Sequence, residues 1–128
     1  MAFYLEKPGT GSTPLVIVDE KRDYMKLEGM SYQENTIEFF EEIIDWLEKY
    51  LDTGFTMFMF DCKMKYFNST TKKVLFEMLG MMNESVAGGK GVIVNWYVNE
   101  DDDLLRELCD GIAEDYPNLT LNVLVAKF

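Results

Sequence analysis

The chain has 128 residues, 48% of them hydrophobic and 14% aromatic, a length suited to one domain and ample material for one core. Twelve basic against 23 acidic residues give a formal charge of −11, a surface that repels nucleic-acid phosphate and anionic lipid, so neither nucleic acid nor membrane is an expected partner. Histidine is absent, which removes the side chain most used near neutral pH for acid–base catalysis and metal ligation.

No basic segment followed by an apolar run opens the chain, and no stretch approaches about 18 uninterrupted apolar residues, so a soluble cytoplasmic protein is expected. Residues 13–20 (TPLVIVDE) and 23–30 (DYMKLEGM) read as two short strands about the charged turn Glu20-Lys21-Arg22. They predict an edge hairpin. Ser31-Tyr32-Gln33-Glu34 has the spacing of a capping box, which sets the Ser31 hydroxyl on the Glu34 amide and starts a helix there. The apolar positions Ile37, Phe39, Phe40, Ile43, Ile44, Trp46, Leu47, Tyr50 and Leu51 recur at three and four, leaving Glu38, Glu41, Glu42, Asp45 and Glu48 outside. Gly54 ends this helix.

Residues 55–62 (FTMFMFDC) and 91–98 (GVIVNWYV) are apolar on both alternating faces, the pattern of central strands covered in front and behind. Between them Val74, Leu75, Met78, Leu79, Met81, Met82 and Val86 mark a second helix closed by Gly88-Gly89. The methionines at 57, 59, 64, 78, 81 and 82 read as adaptable core. The acidic run 100–103 opens a third helix with Leu104, Leu105, Leu108, Cys109 and Ile112 inward, and Tyr116-Pro117-Asn118 turns into a last strand over 119–125. The order ββαβαβαβ predicts an α/β fold, a mixed, mainly parallel sheet with right-handed crossovers, about three helices and an N-terminal edge hairpin.

Cys62 and Cys109 lie inside apolar segments and read as reduced core thiols. The acidic run lacks the interleaving and central glycine of a calcium loop, and carboxylates at a helix N-terminus are favourable without a metal. Without histidine to pair with a nucleophile, no catalytic residue, metal or cofactor is expected, and the chain does not read as an enzyme.

KMKYFNSTTKKVLFEML, residues 63–79, runs from the end of an apolar strand into an apolar-striped helix, with Ser69, Thr70 and Thr71 at the join. A hydroxyl or Asn68 there caps the helix, and one cap needs one residue. Three hydroxyls followed by Lys72 and Lys73 exceed that need. A phosphate on one of them meets free backbone amides, the positive end of the helix dipole and two lysines. The carboxyl edge of an open α/β sheet also presents ligand sites, which keeps a small-molecule site near Ser69 and Trp96 in view.

Four segments together resemble the SiaC family of STAS-like (SpoIIAA-like) regulatory phosphoproteins: Ser12-Thr13-Pro14, the stretch GMSYQEN at 29–35, the stretch YFNSTTK at 66–72, and Asn95-Trp96-Tyr97 followed by acids. Gln33 stands where the family pattern has proline, and Ser69 where its better-known member has threonine. The resemblance implies a partner-switching module covering 1–128, biofilm and aggregation regulators being its known members. A serine/threonine kinase and a PP2C-type phosphatase set the phosphorylation of Ser69, with Thr70 and Thr71 as alternatives and as helpers in capping. The unphosphorylated form then binds a regulatory target, such as a diguanylate cyclase, through Tyr66, Phe67, Asn68, Ser69, Thr70, Lys72 and Lys73. The competing expectation is a constitutive interaction or scaffold domain of the same fold, in which Ser69 only caps a helix.

Overall fold

The computed structural model describes residues 2–128. In chain order the elements are β1 (Tyr4–Lys7), β2 (Leu15–Asp19), β3 (Tyr24–Ser31), α1 (Thr36–Leu51), β4 (Met57–Phe67), α2 (Ser69–Ala87), β5 (Gly91–Asn99), α3 (Asp103–Asp115) and β6 (Thr120–Ala126). They form one six-stranded sheet in the order β1-β2-β3-β4-β5-β6. The first three strands pair antiparallel, and β3 to β6 pair parallel. The mixed, mainly parallel α/β sheet with three helices is therefore the observed fold, and β4 and β5 are interior strands as their composition predicts.

The hairpin is not at the edge. β1, in the proline- and glycine-punctuated leader, pairs with β2 and takes that place, which moves β3 inside as the first parallel partner of β4. Four residues with two charges carry too short an alternation to stand out as a strand. The β2–β3 turn is a short 3-10 helix, Glu20–Arg22, closed by Asp23 in the left-handed region at φ 53°. The Asp23 side chain accepts a hydrogen bond from the Tyr50 hydroxyl of α1 at 2.5 Å, locking the turn to the helix layer.

Each parallel connection joins neighbouring strands, and right-handed crossovers between neighbours put all helices on one side of the sheet. Burial alternates accordingly. Val16, Val18, Met25, Leu27, Phe58, Phe60, Cys62, Met64, Val92, Val94, Trp96 and Val98 are buried under the helices, while every intervening strand residue is partly or fully exposed. The expectation that β4 and β5 are covered behind as well is corrected: among the described residues no helix or strand lies on the second face, and only the Phe128 ring reaches it, 5.2 Å from the Lys63 ammonium. Met57 and Met59 are exposed there rather than in the core, whereas Met64, Met78 and Met82 are buried. Ile37 also leaves the core, 69% exposed in the first turn of α1.

A polar ladder crosses the open face. Tyr24 donates to Asp61 at 2.7 Å, Asn95 donates to the other Asp61 oxygen at 2.9 Å, and Asn122 donates to Asn95 at 3.0 Å. Asp61, Asn95 and Asn122 are register partners on β4, β5 and β6, and Tyr24 reaches Asp61 diagonally from β3, where Lys26 stands opposite Asp61. Burial first, then the carboxylate acceptors, push the hydroxyls of Tyr24 and Tyr50 well above the ordinary phenol range. The folded chain thus keeps protons that the unfolded chain sheds near pH 10, so stability is full below that pH and falls as pH rises through it. Chemical denaturation at about pH 9 and pH 11 should show the loss, and Tyr50→Phe should make it shallower.

On the helix side, Phe58 sits among the rings of Trp46, Tyr50 and Phe55 at centroid distances of 6.1, 5.1 and 6.5 Å. Cys62 and Cys109 are free and buried, as their apolar context predicts, and burial pushes the Cys109 thiol up to about 11. No helix among the described residues is long and apolar enough to cross a membrane.

Candidate functional site

The join between β4 and α2 lies at the carboxyl edge of the parallel strands. β4 runs on to Phe67, five residues past the predicted end, because the alternation continues with Met64 inward and Lys63 and Lys65 outward. Opposite Gly29 and Met30 the register slips: Gly29 pairs with Met64, but Met30 pairs with Tyr66, leaving Lys65 as an extra residue. Gly29 supplies the backbone for this bulge at φ 111°, which other side chains rarely adopt. The slip inverts the alternation. Tyr66 turns outward, 51% exposed, and Phe67 turns in, its ring edge-on to Trp96 at 6.4 Å.

Asn68 is the N-cap of α2, its side-chain oxygen accepting from the Thr71 amide at 2.9 Å. The side-chain cap is thus Asn68, and neither Thr70 nor Thr71 supplies one. Ser69 and Thr70 open the helix with exposed side chains, whereas Thr71 is fully buried. The Thr71 hydroxyl meets the Ser31 hydroxyl at 2.8 Å and the Ser31 carbonyl at 3.3 Å.

That contact overturns the capping-box reading. Ser31 stays in β3, paired with Phe67, and its hydroxyl donates to Gln33 Oε1 at 3.0 Å instead of reaching a helix amide. Helix α1 starts only at Thr36, whose hydroxyl donates to the Gln33 carbonyl at 2.7 Å, and its N-cap Asn35 makes no side-chain cap bond. A parallel β-pairing partner far along the chain outcompetes the local motif. Gln33 is itself buried, with its Nε2 unpartnered. Ser31→Ala therefore should act on the β3–α2 junction: it strips the Gln33 oxygen of its donor and is expected to cost about 1–3 kcal/mol in a denaturant titration. Asn68→Ala should cost about 1 kcal/mol by the same measurement, by removing the cap.

Above this buried knot lie exposed groups. Tyr32, 47% exposed, meets Tyr66 edge-on at 5.9 Å. The first turn of α2 holds no acidic residue, and Lys72 and Lys73 follow it, exposed, with the Lys72 ammonium 5.7 Å from the Phe76 ring. A groove of about 560 Å³ runs beside Lys72 between β4, α2 and α3, floored by Met64, Phe67, Leu105 and Leu108. Leu104 stands at its edge, 79% exposed, where the third helix was expected to bury it.

All predicted positions from Tyr66 to Lys73 are thus brought to one edge, with Thr71 beneath the surface. Trp96 is fully buried under Phe67 and presents nothing to a small molecule. Sequence reasoning missed Tyr32 and Leu104. The signal for Tyr32 was its place in the GMSYQEN segment; for Leu104 it was a large apolar residue in the first turn of a helix that Leu105, Cys109 and Ile112 already anchor.

Comparison with known proteins accords with this architecture. An uncharacterised protein of Pseudomonas aeruginosa strain UCBPP-PA14 is 32% identical over 111 residues, covering 87% of this chain and 88% of its own length. A chain in the crystal structure of the diguanylate cyclase SiaD in complex with its activator SiaC, from Pseudomonas aeruginosa, superposes with a TM-score of 0.89 at 29% identity, covering 95% of this chain and 99% of that one. A structure of SiaC of Pseudomonas aeruginosa gives 0.83 at 28% identity, with 98% and 99% covered. The family model for SiaC family regulatory phosphoproteins matches residues 7–126, and the chain belongs to that family.

Proposed function

We propose that the protein is a cytoplasmic, single-domain partner-switching regulator whose unphosphorylated form binds and modulates a diguanylate cyclase, and whose phosphorylation on Ser69 releases it. The observation that carries this reading is the Ser69 hydroxyl itself: exposed at the first position of α2, with Asn68 rather than Ser69 occupied as the cap, in a chain of a regulatory phosphoprotein family. The likeness to the SiaD–SiaC complex supports the class of target. Of the neighbouring hydroxyls, Thr70 is accessible to a kinase and Thr71 is committed to Ser31. A serine/threonine kinase and a PP2C-type phosphatase set the state.

A phosphoryl group at Ser69 adds about −1.5 to −2 charges beside free helix amides and Lys72 and Lys73. The helix dipole favours that charge, so the modified chain stays folded and the switch acts through its surface. A partner that covers Tyr66 and Ser69 must then desolvate the phosphate, and binding is lost. Tyr66, Phe67, Asn68, Thr70, Lys72 and Lys73 form the surface around it. Mass spectrometry of protein from its native host, followed by titration of the host cyclase with each form, tests the reading. A chain that carries no phosphate in the host and binds the cyclase constitutively is a scaffold instead.

A further inference from the structure

We infer that the free edge of β6 pairs antiparallel with β6 of a second copy of this chain, about a two-fold axis at Val123, so that two six-stranded sheets join into one. The inference is independent of the phosphorylation reading above. The two edges of the sheet differ. β1 has four residues, carries Glu6 and Lys7 and is followed by Pro8, the features that keep a sheet edge from recruiting another strand. β6 has seven residues, TLNVLVA, with neither charge nor proline. The first charge after it, Lys127, meets Glu100 at 3.7 Å.

The strand is its own complement. The Ala126 carbonyl faces β5, accepting from the Glu100 amide at 3.0 Å, so by the alternation of a strand the N–H and C=O groups of Leu121, Val123 and Val125 face away from β5. In an antiparallel pair centred on Val123, that residue meets Val123 of the partner subunit, and Leu121 meets Val125 of the partner subunit, each through a pair of main-chain hydrogen bonds. The side chains agree with this register. Leu121, Val123 and Val125 stand on the helix side, beside Val94, Trp96 and Val98 of β5. The helix layer covers the start of the strand, where Leu119 is buried and Leu121 partly so, but leaves Val123 41% and Val125 55% exposed. Leu124, on the open face, is 38% exposed, so β6 shows apolar side chains on both faces. Pairing about Val123 sets the three helix-side residues against their equivalents and takes them out of water.

Charge permits the approach at this place. A chain of net charge −11 repels its own copy, and the repulsion is least along an uncharged edge. Antiparallel pairing sends the two Ser69 edges to opposite ends of the joined sheet, so each stays accessible to a kinase and to a target. One strand pair buries less than the about 1,600 Å² of a standard interface, so the dimer is reversible and depends on concentration.

The test is sedimentation velocity of the full chain across a range of protein and salt concentration. The mass should rise from 14.9 kDa toward twice that value, and added salt should favour the dimer by screening the like charges. Val123→Lys sets two ammonium groups at the axis and should weaken association at least about tenfold. Val123→Pro removes an outward N–H without touching the ladder to β5, and should weaken association in a chain that keeps its circular dichroism. Val123→Cys should form a disulfide-linked dimer under mild oxidation, because the Cα atoms of such an opposed pair lie about 5.5 Å apart. Tyr4→Cys, exposed on β1, should not, and the buried Cys62 and Cys109 do not compete. A chain that is monomeric at every concentration overturns the inference, as does a dimer that Val123→Lys and Val123→Pro leave unchanged. Growth beyond a dimer, or equal cross-linking of Tyr4→Cys, overturns the two-fold pairing at β6. Loss of cyclase binding in Val123→Lys, with the unmodified chain monomeric, would mean that the edge takes a strand of another protein, and would overturn the assigned occupant.

Discussion

Phosphorylation of Ser69 should reduce affinity for the target cyclase by about 2–5 kcal/mol, roughly thirtyfold or more, the range found when a desolvated charge in an interface lacks its partner. Ser69→Ala should leave affinity in the unphosphorylated range and make it insensitive to the kinase. Its fold should be unaffected, within about 0.5 kcal/mol, because the cap bond belongs to Asn68 and the Ser69 side chain is exposed. Ser69→Asp should fall between the two states. One carboxylate carries less charge than a phosphoryl group and fewer acceptor oxygens, and it is favoured by the same helix dipole. Isothermal titration of the cyclase with enzymatically phosphorylated protein, Ser69→Ala and Ser69→Asp distinguishes these outcomes. Equal affinity of phosphorylated and unphosphorylated protein would rule the switch out. Phosphate found only on Thr70 would move the site by one residue and keep the mechanism.

The largest loss of stability is expected from Phe58→Ala, at about 3–5 kcal/mol. Phe58 is fully buried on an interior strand, and three aromatic residues of α1 and the α1–β4 connection pack around it: Trp46, Tyr50 and Phe55. Tyr50 and Phe55 stack on each other at 4.8 Å and Tyr50 stacks on Trp46 at 4.8 Å, so the group is held in place and cannot collapse into the space left behind. A domain of this length has a total stability of about 5–15 kcal/mol, so the variant should be partly unfolded at modest denaturant. Phe58→Leu keeps most of the volume and should recover more than half of the loss. A denaturant midpoint for Phe58→Ala within error of the unmodified chain would show that the ring cluster does not carry the core. Because Phe58 lies away from the Ser69 edge, both variants should bind the cyclase normally where folded.

Much of the architecture was legible locally. Residues 74–86 repeat at three and four, and 91–98 are apolar on both alternating faces but for Asn95, so α2 and β5 follow from period and composition. The acids of 100–103 announced the start of α3, and Asp102 is indeed its cap. The join at 66–72 was also legible, because an extended apolar run, an Asn-Ser-Thr-Thr step and a helical stripe can meet only at a strand-to-helix turn. The capping box at Ser31 was equally local, and it failed. Its hydroxyl had a partner 40 residues away in Thr71, which no spacing rule reports.

By itself, then, the sequence determined the type and order of every helix and strand after β1, though not all of their ends, the mainly parallel order that alternation imposes, and the three hydroxyls at the mouth of α2. Those properties depend on neighbours a few residues apart. The tertiary structure alone decided the rest. Periodicity tells which residues share a face and not whether anything covers it, so the open side of the sheet, the exposure of Leu104 and the polar row through Asp61 appeared only when the crossovers put all helices on one side. The bulge at Lys65 is a property of two paired strands, and it turned Tyr66 outward and Phe67 inward. Pairing of β3 with β4 carried Ser31 to Thr71, burying one hydroxyl of the three and leaving Ser69 and Thr70 in solvent.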